Sequence, residues 1–216
     1  MKKIVYSIVS VLLFAACSKD DATGTVDPVI SVTVTNLPAD TIIGITPGAP
    51  PAGGMPYGAG KYTFFSIEKG AVVPATDSAS TKWDIAFKGT TILTNSGNGG
   101  PGMGGAFVYV GLFSDLKTIP ADLTFKTENA PTSYAITTGS NKGWYVYDGL
   151  NNLITPIPGR VLVVRTASGK YAKIEILNYY KGGVTPATSA SDLVKMKEQR
   201  YYTFRYNFQS NGTKAF

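Results

Sequence analysis

Trp83, Ile85 and Phe87 alternate with Asp84, Ala86 and Lys88, and after Thr90 to Thr94 the chain enters the loop Asn95 to Gly105 (NSGNGGPGMGG). No other stretch constrains the fold as strongly. A period of two places the three large apolar side chains on one face of a half-buried strand, with Asp84 on the outer face. Glycines at 97, 99, 100, 102, 104 and 105 end any regular element. They permit positive φ and close approach of another backbone or a ligand.

The same alternation recurs along the chain. Val29 to Asn36, Lys61 to Glu68, Ala71 to Val73, Thr90 to Thr94, Ala106 to Phe113, Gly143 to Asp148 and Tyr201 to Phe208 read as strands, and Thr41 to Ile45 as a further candidate. Leu123 to Lys126 and Tyr134 to Thr138 are candidate short strands. Arg160 to Arg165 and Lys170 to Tyr179 form a hairpin closed at Gly169. In its second strand Tyr171, Lys173, Glu175, Leu177 and Tyr179 share one face. Pro47 to Gly60 reads as a long loop. Ser189 to Arg200 is the one convincing helix, with a Ser or Asp able to cap it. The 24 glycines and 13 prolines fit a chain of many turns. The expected fold is all-β: a single antiparallel β-rich domain of sandwich type with one short helix near the C-terminus.

The N-terminus reads as an address. Lys2 and Lys3 precede the apolar run Ile4 to Phe14, too short for a stable membrane span. Ala15-Ala16-Cys17 follows, and Cys17 is the only cysteine. Small residues before a lone cysteine resemble a lipoprotein cleavage box, in which Cys17 becomes the lipidated first residue. Ser18-Lys19-Asp20-Asp21 reads either as a surface-export signal or as a solvated tether. The expected segments are a signal peptide over 1–16, a lipidated tether over 17–27 and an all-β domain over 28–216. Outer-membrane lipid, engaged through Cys17, is the expected anchor.

Composition narrows the chemistry. Histidine is absent, which removes histidine triads and histidine metal sites. One cysteine leaves no disulfide framework. Without Lys2 and Lys3 the chain carries 18 basic and 14 acidic side chains, with no basic run, so nucleic acid is not an expected partner. Gly97-x-Gly99-x-x-Gly102 spells a dinucleotide motif, but Pro101 interrupts it and a strand follows where a helix N-terminus is required. The carboxylates show no catalytic spacing, so no enzyme is expected. Met55 and Met103 sit in Gly/Pro loops. Their thioethers are soft metal ligands, or each folds back to cap the core.

KYTFFSIEKGAVV (61–73), TKWDIAFKGTTILTNSGNGGPGMGGAF (81–107), RVLVVRTASGKYAKIEILNYY (160–180) and YYTFRYNF (201–208) together resemble the HmuY family of haem-binding lipoproteins. The resemblance implies an all-β fold with a ligand cleft at one end. It implies haem acquisition at the outer membrane and transfer of haem to a TonB-dependent receptor. The iron in that family is held by two histidines on neighbouring loops, or by methionines in related members. Here the matching segments, Glu128 to Ser140 and the region of Asp148-Gly149, contain neither. Tyr134 and Tyr147 are nearest to those regions, and a phenolate can ligate ferric iron. With Met103 of the glycine loop they are the expected haem-binding residues. A divergent scaffold that binds a glycan, a peptide or an outer-membrane partner is the alternative.

Overall fold

The computed structural model describes residues 29–48 and 54–216. Cys17, the signal peptide, the whole of the tether over 17–27 and the tip of the Pro47 to Gly60 loop lie outside these. The elements in order are β1 (Ile30–Pro38), β2 (Gly44–Ile45), β3 (Pro56–Tyr57), β4 (Thr63–Ser66), β5 (Ala71–Val73), β6 (Ile85–Lys88), β7 (Thr91–Thr94), β8 (Gly105–Val110), β9 (Tyr145–Asp148), β10 (Leu153–Pro156), β11 (Arg160–Arg165), β12 (Tyr171–Tyr180), α1 (Asp192–Glu198) and β13 (Gln199–Gln209). A five-stranded sheet runs β1-β13-β12-β11-β8 and a four-stranded sheet β5-β4-β6-β7. Two small hairpins, β2-β3 and β9-β10, complete the all-β architecture. All paired strands are antiparallel.

Alternation on β13 makes the core. Tyr202, Phe204, Tyr206 and Phe208 face inward and are buried. Phe204 meets Phe65 of β4 edge-on at 5.6 Å and stacks on Phe87 of β6 at 5.5 Å, joining the two large sheets. Each aromatic side chain of this size removes ~150–250 Å² from water, and each such pair adds about 0.5–1.5 kcal/mol. The Tyr206 hydroxyl donates to the Ile67 carbonyl at 2.9 Å, so its polar end is satisfied.

The structure corrects several sequence expectations. β6 begins at Ile85, so Trp83 stands before the strand rather than in it. Its ring packs with Val73, Ala86 and Leu93, while Ile85 and Phe87 enter the main core. Asp84 is buried, not outward, because both faces of this segment are covered. Lys126 forms only an isolated bridge to Ala106, and Tyr134 to Thr138 is irregular. β3 pairs with β2 inside what reads as a loop, and β10 pairs with β9 just beyond the Asn151-Asn152 turn. Lys173, on the face shared with Tyr171 and Glu175, is buried. Its amine donates to the Phe113 and Leu116 carbonyls at 2.9 and 2.7 Å.

One irregularity places a residue of the site. The β12-β13 register shifts between Ile176 and Asn178 and again between Asn178 and Tyr180. A bulge reverses the in–out alternation. Tyr179 therefore joins the core beside Ile174 and Ile176 rather than sharing the outer face of Glu175. The helix α1 is shorter than expected and is capped by Ser191, whose hydroxyl accepts the Val194 amide. No helix among the described residues is long and apolar enough to cross a membrane.

Candidate functional site

A cleft of about 770 Å³ opens where β2-β3, the β6-β7 turn, β9-β10 and α1 converge. This lies within the ~300–1,000 Å³ common for small-molecule sites. Tyr179 lines its floor, backed by Trp144 at 5.5 Å and Tyr202 at 5.2 Å, with Tyr202 in turn 4.8 Å from Phe87. Two of these rings hold the adjoining turn. The Trp144 Nε1 donates to the Thr90 carbonyl at 3.0 Å and the Tyr202 hydroxyl to the Gly89 carbonyl at 2.9 Å. Gly89 has φ +55°, a conformation that glycine accepts readily. Lys88, Thr90 and Thr91 are thereby presented to the cleft.

The walls carry the chemistry. Met55 enters from the β2-β3 hairpin, where its backbone is tied to Thr46: the Thr46 amide donates to the Met55 carbonyl at 2.9 Å and the Met55 amide to the Thr46 hydroxyl at 3.1 Å. Met196 comes from α1. Tyr147 of β9 donates its hydroxyl to Asn152 Oδ1 at 2.7 Å, and both residues line the cleft. Burial drives the Tyr179 phenol far above its ordinary range, the Arg200 charge offsetting only part of this. Burial does the same to Tyr202. Neither supplies a phenolate near neutral pH. The thioether and accessible phenol donors on the walls are therefore Met55 and Met196 and the half-exposed Tyr57 and Tyr147.

The residues singled out from the sequence do not meet. Tyr147 lines the cleft. Tyr134 instead packs against the cluster of Trp83, Ala86 and Leu93. There the Tyr62 phenol is raised by burial first and then by Tyr134 and Glu128. Met103 is 62% exposed on the glycine loop, its methyl beside Gly169. Neither Tyr134 nor Met103 lines the cleft. The glycines are explained by packing. A Cβ on Gly97 would strike the Glu128 carbonyl, and one on Gly100 would strike the Asn95 side chain and the Trp83 ring. Asn95 organises the loop: its Nδ2 donates to the Ser80 and Trp83 carbonyls at 2.9 and 2.8 Å, and its Oδ1 accepts the Gly102 amide at 2.8 Å. Met196 and Arg200 are cleft residues that sequence reasoning missed. Met196 reads in the sequence as the helix-face neighbour of Leu193. Of the residues singled out from the sequence, Met55 and Tyr147 line the cleft.

The profile of the HmuY protein family matches residues 59–206. The chain belongs to the HmuY family. Most of the cleft lies within this matched HmuY segment, including Tyr147, Met196 and Arg200, whereas β2, Met55 and β3 lie before it. Three solved structures are similar. An apo HmuY analogue from Tannerella forsythia is 18% identical, covering 86% of this chain and 98% of the other, with a TM-score of 0.48. A Bacteroides vulgatus protein, described provisionally as a HmuY-like haem-binding protein, is 18% identical over 82% and 90% of the two chains, with a TM-score of 0.44. Apo PinO from Porphyromonas is 18% identical over 87% and 99%, with a TM-score of 0.43. No curated protein matches this HmuY-family chain.

Proposed function

We propose that this protein is a lipid-anchored binding protein, not an enzyme, that holds haem in the cleft between Met55, Met196 and Tyr147. The observation that carries the reading is the joint presence of two thioethers, Met55 and Met196, and two half-exposed phenols, Tyr57 and Tyr147, on the walls of one cleft floored by Tyr179. Thioether and phenolate are both known axial donors to haem iron. The flat apolar body of a porphyrin suits Tyr179, Ile154 and Pro56. These replace the histidine pair that the sequence lacks. Met55 and Met196 therefore take the place of Met103 and Tyr134 in the expected ligand set. Cys17 anchors the chain at the outer membrane, residues 17–27 form the tether, and a TonB-dependent receptor is the recipient of the ligand.

Titration of the protein with haemin tests this reading. A shifted and sharpened Soret band with quenching of Trp144 fluorescence at micromolar haemin is the expected result. An unshifted band with unchanged fluorescence would sink it. A second reading, a glycan or peptide ligand, draws on the hydrogen-bonding groups of Thr90, Thr91, Asn152 and Gln199 in the same cleft. Quenching by such a ligand, without any haemin response, would favour it.

A further inference from the structure

Two residues beside the cleft, Asp40 and Arg200, have left-handed backbones, with φ +59° and +71°. Such conformations are costly for side chains bearing a Cβ, and more so for arginine than for aspartate. They persist where the surroundings over-determine them, often at functional sites. Here the two residues are paired. Arg200 Nη1 donates to the Asp40 carbonyl at 2.9 Å and approaches Asp40 Oδ2 at 3.4 Å, and both side chains are largely buried. Arg200 Nη2 donates to the Pro56 carbonyl at 3.2 Å. The Ala39 amide donates to the Arg200 carbonyl at 2.9 Å, and the Lys61 amide to Asp40 Oδ1 at 3.2 Å.

The geometry follows from a bulge. Tyr180 pairs with Gln199 while Asn178 pairs with Thr203, so the residues between them are out of register and Arg200 is re-aimed. Its guanidinium grips Pro56, the residue next to Met55, on a hairpin of only two residues per strand. Isolated hairpins of that length are not stable by themselves. The hairpin precedes the segment matched by the family profile, whereas Arg200 lies inside it.

We infer that the Arg200–Asp40 pair is a positioning device that pins the β2-β3 hairpin against the cleft and so sets where Met55 meets the ligand. This rests on the haem-binding reading for its ligand, but the pinning itself can be tested without one. The test is hydrogen exchange on the full protein and its Arg200→Gly variant. Glycine adopts φ +71° without a Cβ penalty, so the substitution removes the guanidinium while relieving the backbone. Amides Ile43 and Thr46, which bond to the Tyr57 and Met55 carbonyls, are expected to exchange at least ~10-fold faster. Core amides of β12 and the thermal midpoint measure the global loss from leaving Asp40 unpaired, and the hairpin amides are expected to accelerate beyond it. Haemin affinity is expected to fall about 10-fold, with the Soret position displaced toward that of Met55→Ala.

Arg200→Asn provides a second variant, since asparagine also tolerates the left-handed region but cannot reach Pro56. Exchange at Ile43 and Thr46 accelerated no more than this global loss in both variants would overturn the pinning role. Faster exchange with haemin affinity and Soret position both unchanged would overturn the effect on Met55. If wild type binds no haemin, the haem-binding reading fails, and with it the claim about Met55 and the ligand. The exchange result still decides whether the pair pins the hairpin.

Discussion

The Asp84 carboxylate accepts the Ala167 amide at 2.9 Å across 83 residues of sequence. Its other oxygen accepts the Ile67 amide at 2.7 Å. Asp84 precedes β6, and Ala167 sits in the β11-β12 turn, so one buried side chain ties the two large sheets together. Replacing it by Asp84→Ala strands two buried donors. With about 1–3 kcal/mol lost for each unsatisfied group, the expected destabilisation is ~2–5 kcal/mol. Urea unfolding measures it, and a loss below ~1 kcal/mol would contradict this role.

Burial raises the folded-state pKa of both Asp84 and Glu128, and hydrogen bonds from backbone amides offset only part of the rise. The sign follows. Between the ordinary carboxylate value and the raised folded value the native state holds more protons than the unfolded chain. These two groups therefore contribute most below their unfolded pKa and lose that contribution as pH rises through the folded one. Glu128→Gln is expected to flatten the decline in the urea midpoint as pH rises above the ordinary carboxylate value. A steeper decline in the variant would show the opposite shift.

Gly100 has ordinary φ, so its need for glycine is one of space. Gly100→Ala forces a methyl against Asn95 and Trp83. Overpacking of this kind costs about 1–3 kcal/mol. A thermal midpoint within a degree or so of wild type would contradict the packing account of the glycine loop.

Met103→Ala and Tyr134→Phe are expected to leave the haemin spectrum and affinity unchanged, because neither side chain lines the cleft. Tyr147→Phe is expected to weaken binding by ~2–10-fold through the lost hydroxyl and its bond to Asn152. Soret titrations of the three variants under one buffer separate these outcomes.

The sequence patterns revealed the large sheets and hid the site, for identifiable reasons. Tyr201 to Phe208 and the Gly169 hairpin are legible because period two and turn chemistry are local signals. Trp83 misleads because a single-residue offset at a strand start flips its face. Tyr179 misleads because the bulge that re-aims it leaves no trace in the local pattern. β2 and β3 are too short for any periodicity, so Met55 reads as part of a loop. The cleft is assembled from segments distant in sequence, and no spacing rule could bring Met55 and Met196 to one cleft. Glu128 reads as one more carboxylate. In the structure it is buried, accepting the Thr94 and Ala135 amides at 2.9 and 3.2 Å.

Absorbance spectra of the haemin-loaded protein, compared with Met55→Ala, Met196→Ala and the double variant, test the proposed ligation of haem iron by the two thioethers. A defined Soret band is expected in wild type, a shifted band with about 10-fold weaker binding in each single variant, and loss of the band shift in the double variant. A wild-type Soret spectrum retained by the double variant would contradict it.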